Sequence, residues 1–128
     1  DRLRSRGLGD VYKRQDIFGL ADDEKQILAA VLYYAFDGTL QESSAVYHEL
    51  TPRQKVITAK LTAIFRLADS LDKSHLGKIS DLRAELGEDE LIVYYTADSD
   101  ISLERWTYMK MAVNFSEVFG ISTKLVKG

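Results

Sequence analysis

The longest helical period in the chain runs from Thr51 to His75, TPRQKVITAKLTAIFRLADSLDKSH. Val56, Ile57, Leu61, Ile64, Leu67, Ala68 and Leu71 recur at three- and four-residue steps, which sets them on one side of a helix. Thr51 is placed to cap the first turn, Pro52 sits where a missing N–H costs nothing, and Gln54 completes a capping box. No breaker follows until Gly77. A broad apolar stripe on so long a run predicts the central helix of a helical layer.

An earlier run has the same period. Asp22, Asp23 and Glu24 put negative charge where a helix dipole favours it, and Ile27, Leu28, Val31, Leu32 and Ala35 form a stripe to about Phe36. Ile17 to Leu20 is an apolar lead-in, and Gly38 supplies the stop. Tyr33, Tyr34 and Phe36 add aromatic surface suited to a core or an interface. Thr39 to Leu50 is a polar connection with a helical turn around Ala45 to Leu50, where His48 reads as a surface or capping side chain.

Past Gly77 the period changes from helical to alternating. Ile79 to Leu86 sets Leu82, Ala84 and Leu86 against Asp81, Arg83 and Glu85. Gly87, Glu88 and Asp89 make a turn, and Glu90 to Ala97 is apolar on both faces, as a central strand is. Ser102 is the expected N-cap of a helix over 103–119, with Leu103, Trp106, Met109 or Lys110, Val113 and Val118 near one face and Gly120 as its stop. Ile121 to Lys127 reads as a last strand joining the hairpin. The predicted class is α+β: a layer of two main helices, then a three-stranded antiparallel sheet with one packed helix. The expected division is a leader over 1–15, a helical part over 16–77 and a small ββαβ subdomain over 78–128.

Composition narrows the function classes. Hydrophobic residues at 45% and charged residues at 29% suit one globular domain with a proper core. With no cysteine, disulfides and Cys-based zinc sites are excluded. A net charge of −3 argues against broad nucleic-acid binding, and no apolar run reaches membrane-spanning length. The first fifteen residues, DRLRSRGLGDVYKRQ, are basic and aperiodic. GLGDVYKRQ resembles adapter-derived sequence translated in frame ahead of truncated genes, so 1–15 is expected to be a non-native or disordered leader rather than a basic arm.

Arg66, Asp69, Asp72 or Lys73, and His75 gather near the end of the long helical run. The plain reading is a solvated face, with Asp69 and Lys73 paired across one turn and Lys73 and His75 complementing the dipole. The run FRLADSLDKSH also resembles the LRLADALDRSH signature of the exopolyphosphatase / guanosine pentaphosphate phosphohydrolase family. DIFGLADDEKQILA, Asp16 to Ala29, resembles the family's DIFGLSDEEK segment. ISLERWTYMKMAVNFSEVFG, Ile101 to Gly120, resembles its LSLERWALEKKADLFEEVFG segment. The three fall in the family's order and cover most of the chain from Asp16 onward.

The resemblance implies the C-terminal region of such an enzyme, a helical part similar to HD-domain phosphohydrolases followed by a small α+β end. It also marks a departure. Family members commonly carry a Tyr-His pair where this chain has Tyr34 and Ala35, the histidine echoing an HD metal ligand. Asp69, the counterpart of the last HD aspartate, cannot hold an ion alone, so a metal-dependent HD hydrolase is the weakest reading. Catalysis in the family depends on upstream actin-like domains with phosphate loops and a divalent metal such as magnesium. This chain alone is expected to bear no cofactor and to perform no catalysis. What the resemblance leaves to it is a basic wall for polyphosphate or guanosine pentaphosphate, a homodimer surface and a cytoplasmic setting, with no membrane or specific nucleic acid as partner. Lys60, Arg66, Lys73, His75, Lys78 and Arg105 are the candidates for that wall, each weighed against ion pairing within the fold. A non-enzymatic interaction or dimerisation module is the alternative, resting on the apolar surface of the first helix and the second strand.

Overall fold

The computed structural model describes residues 19–37 and 45–128. The leader over 1–15, the start of the apolar lead-in, the Gly38 stop and the polar connection through residue 44 lie outside the described residues. Elements run in the order α1 (Asp22–Asp37), α2 (Ala45–His48), α3 (Pro52–Ser70), β1 (Ile79–Leu86), β2 (Glu90–Ala97), α4 (Ser102–Phe119) and β3 (Ser122–Lys127). The class is α+β. The chain forms two units whose boundary falls inside α3, between Thr62 and Ala63, upstream of Gly77.

In the first unit α1 opens on its acidic triad, and Glu24 Oε1 reaches back to accept from the Ala21 N–H at 2.9 Å. The capping box expected at Thr51 is present: Thr51 Oγ1 accepts from Gln54 N, and Gln54 Oε1 accepts from Thr51 N. Gln54 does more than cap. Its amide donates to the Asp23 carbonyl at 3.2 Å and to Gln26 Oε1 at 2.9 Å, which ties α3 to the start of α1. Ala30, Tyr34 and Leu50 form the small core, with Tyr33 and Tyr47 packed against it.

The stripe expected on α3 is buried only in part, at Leu67. Val56, Leu61 and Ile64 are 55%, 44% and 49% exposed, while Gln54, Thr58 and Thr62 are buried. The helix also stops earlier than the sequence suggested, at Ser70. Ser70 Oγ donates to the Leu67 carbonyl, and Asp72 Oδ1 accepts from Gly77 N at 3.0 Å, closing a series of turns. His75 and Gly77 both adopt positive φ there. Asp72, Lys73 and His75 therefore sit on turns, not on the last helical turn.

In the second unit β1 and β2 form the expected hairpin over the expected residues, antiparallel from Leu82↔Tyr95 to Leu86↔Leu91. β2 is central, in the order β1-β2-β3. The third strand corrects the antiparallel expectation: β3 runs parallel to β2, from Glu90↔Ser122 to Tyr95↔Lys127. The reason is the connection. An entire helix, α4, carries the chain back along the sheet before β3 begins, and that crossover returns it in the starting direction.

Helix α4 is turned over relative to its apolar stripe. Glu104, Thr107, Tyr108, Ala112 and Phe115 are buried, whereas Leu103, Trp106, Met109 and Val113 are 46%, 60%, 55% and 63% exposed. Tyr108 Oη and Thr123 Oγ1 share a hydrogen bond of 2.6 Å, while Thr107 Oγ1 donates to the Leu103 carbonyl one turn back at 2.8 Å. Ser102 opens the helix but does not cap it; its hydroxyl donates to Asp100 Oδ1 instead. Gly120, at φ 73°, closes it with the left-handed residue that only glycine adopts without strain. The core joins Ala63 and Leu67 of α3 to Val93, Tyr95, Tyr108, Phe115 and Leu125.

Candidate functional site

The turns after α3 meet the first turn of α4 through one side chain, Glu104. Its carboxylate is 1% exposed, and Oε2 accepts from Ser74 N at 2.8 Å. Oε1 makes no hydrogen bond, and Lys78 Nζ at 3.8 Å supports it by charge. Burial works to raise the pKa of this carboxyl. The Ser74 N–H, the backbone of its own helical turn and Lys78 outweigh that and hold it below the ordinary carboxylate value. FRLADSLDKSH and SLERW, far apart in sequence, are thus joined by a buried, ionised hydrogen bond.

The six basic candidates divide by what surrounds them. Lys60 is exposed on α3 in the first unit, while the other five belong to the second. Arg66 is half-buried, and that burial lowers its pKa. Lys78 is partly buried against Glu104. Arg105 braces α4 on the sheet: Nη1 donates to the Leu125 carbonyl at 3.1 Å, Nη2 donates to Tyr95 Oη at 2.6 Å, and the guanidinium lies 5.4 Å from the Tyr95 ring centre. Lys73 and His75 are exposed on the turns, with Lys78 three residues further on. Lys73, His75 and Lys78 are therefore brought to one short loop, with Arg105 adjoining Glu104 in sequence.

Of the two HD positions, Asp69 is exposed on the last turns of α3, and Ala35 is half-buried on α1. Among the described residues no group of three or more His, Asp or Glu side chains is arranged to hold a metal ion. Among them, too, no helix is long and apolar enough to cross a membrane.

Sequence reasoning missed Glu104 as a buried anchor. Its only local signal is an acid in the first helical turn, which suits an exposed carboxylate equally well. It also missed an apolar cleft of about 290 Å³ in the second unit, lined by Ile64, Leu71, Leu82, Ala84, Leu91 and Phe115 among others. Compared with models of known protein families and with curated proteins, the sequence finds no match.

Proposed function

We propose that this chain is the C-terminal accessory part of an exopolyphosphatase / guanosine pentaphosphate phosphohydrolase, contributing polyanion binding and dimerisation rather than catalysis. The supporting observation is the Glu104 link. Two of the three segments that resemble the family are bonded to each other through a side chain that lies in the resembling run, and the loop so held displays Lys73 and His75. In this reading the parent is a cytoplasmic phosphoric-anhydride hydrolase whose upstream domains carry the divalent metal. Lys73 and His75, exposed on the loop, are the first contacts for a phosphate chain; Lys78 and Arg105 take part only through groups left over from their internal bonds.

The mechanism of such a surface is electrostatic. A long polyphosphate carries roughly one charge per phosphate, and displacing its counterions makes binding salt-dependent. Three engaged cations, at a slope of about −0.7 per charge, give roughly a twentyfold loss of affinity between 50 and 200 mM salt. Titrating long-chain polyphosphate into the protein at those two salt concentrations measures this. Lys73→Ala with His75→Ala is expected to weaken binding further and flatten the slope. No binding at 50 mM salt, or binding indifferent to salt, sinks the proposal.

A second reading, an interaction module, draws on the exposed stripe of Leu103, Trp106, Met109 and Val113 on α4. Concentration-dependent association with no polyphosphate binding would favour it.

A further inference from the structure

Among the described residues the strand β1 is an edge, bonded to β2 on one side only. Which of its backbone groups face outward follows from two bonds. Gly87 N donates to Glu90 O at 2.8 Å, so 87 and 90 are a bonded pair, and alternation makes Glu85/Ile92 and Arg83/Tyr94 bonded as well. On the far side of β2, the Tyr95 carbonyl accepts from Gly128 N, so Tyr95 turns its groups away from β1. Leu82, Ala84 and Leu86 therefore aim three N–H and three C=O groups at the open edge.

The side chains on this edge are arranged by face. Leu82 and Leu86 are 46% and 73% exposed, and Leu82 lines the apolar cleft together with Ala84, which lies between them in the strand. Arg83 and Glu85 are exposed on the opposite face and contact each other, with the Arg83 guanidinium 4.2 Å from the Tyr94 ring centre. Between Ile79 and Leu86 there is no lysine or proline, the usual guards of an open edge, whereas the opposite edge strand, β3, carries Lys124 and Lys127.

We propose that β1 pairs with β1 of a second copy, antiparallel and centred on Ala84, joining two three-stranded sheets into one of six strands. The sequence of the strand chooses this register. Centring on Arg83 sets Asp81 opposite Glu85 and Arg83 opposite itself, so like charges face each other. Centring on Leu82 draws Ser80 into the ladder, at the point where the β1–β2 register shifts. Centring on Ala84 uses only the regular part of the strand. It sets Arg83 opposite Glu85 of the second copy, twice by symmetry, and Leu82 opposite Leu86, also twice. Charges match on one face and apolar groups match on the other, and all three outward residues find backbone partners. Both leucines are exposed in the single chain, so the two pairs bury apolar surface as well as satisfying the strand.

This inference rests on the dimerisation half of the reading above, and charge reversal separates the two. The whole chain is followed by sedimentation over a range of concentrations. Arg83→Glu alone and Glu85→Arg alone each turn two attractive pairs into two repulsive ones and lower dimer affinity by roughly tenfold or more. The double variant Arg83→Glu/Glu85→Arg rebuilds both pairs with signs exchanged and restores the dimer, which also shows that the single variants had not merely misfolded. Amide exchange at Leu82, Ala84 and Leu86 slows as concentration rises, while Arg83 and Glu85, already bonded to β2, do not change. A monomer at every concentration overturns both the pairing and dimerisation. A dimer indifferent to the single reversals, or with unaltered exchange at Leu82, Ala84 and Leu86, overturns the pairing alone.

Discussion

Replacing Glu104 by alanine removes the bond that ties the turns after α3 to α4. The lost hydrogen bond is charge-assisted, 2.8 Å long and buried, worth about 1.5–3 kcal/mol. Removing a carboxylate from the first turn of α4 costs about a further 0.3–1 kcal/mol. The Ser74 N–H is left without its acceptor, and Lys78, whose side chain is 23% exposed, loses this ion pair. The sum is a destabilisation of about 3 kcal/mol for Glu104→Ala. Glu104→Gln keeps the acceptor and the shape and costs about 1–1.5 kcal/mol. Urea unfolding followed by Trp106 fluorescence reads this directly, since the chain's single tryptophan lies on the same helix. The gap between wild type and Glu104→Gln also depends on pH. The folded carboxyl has a lowered pKa, so its stabilisation is complete above the unfolded value of about 4.3 and is lost as pH falls through the lower, folded value. A midpoint for Glu104→Ala within about 0.5 kcal/mol of wild type, or a gap that persists below the folded pKa, would refute the assignment of Glu104 as an ionised anchor.

Two further substitutions probe the second unit. Arg105→Ala removes the donors to Tyr95 Oη and the Leu125 carbonyl and is expected to cost about 1–2 kcal/mol in the same urea assay, more than an exposed arginine taking no part in the packing would. Leu103→Ser with Met109→Ser, on the outward face of α4, is expected to change stability by less than about 0.5 kcal/mol each, because neither residue belongs to the core; a large loss would mean the helix presents its other side.

The hairpin was the most legible element. Alternation in ISDLRAEL and the two-faced ELIVYYTA, separated by a glycine turn, carry their own register, and β1 and β2 match the expected residues at both ends. The direction of β3 was not read correctly because hydrophobic alternation has no polarity along the strand. The length of the connection does carry that information, since a full helix between two strands favours a parallel return. Helix faces misled for a different reason. On α4 the expected stripe is Leu103, Trp106, Met109 and Val113, yet the helix buries Glu104 and Tyr108, whose partners Ser74 and Thr123 are remote in sequence. A pattern of apolar residue types along one helix cannot register such partners. The same applies to the basic candidates: nothing local to Lys78 or Arg105 indicates that each is already engaged inside the fold.

The parallel return of β3 also fixes an order of events during synthesis. Until residues 122–127 have left the ribosome, β2 has a bare flank, and the Tyr95 carbonyl has no Gly128 N–H to meet. Helix α4 must therefore be made, and must swing over the nascent hairpin, before that flank can be covered. As long as that flank stays bare, the strand with the most apolar residues in the sheet is a sticky surface, so a chain cut after Gly120 should aggregate more readily than one that carries β3.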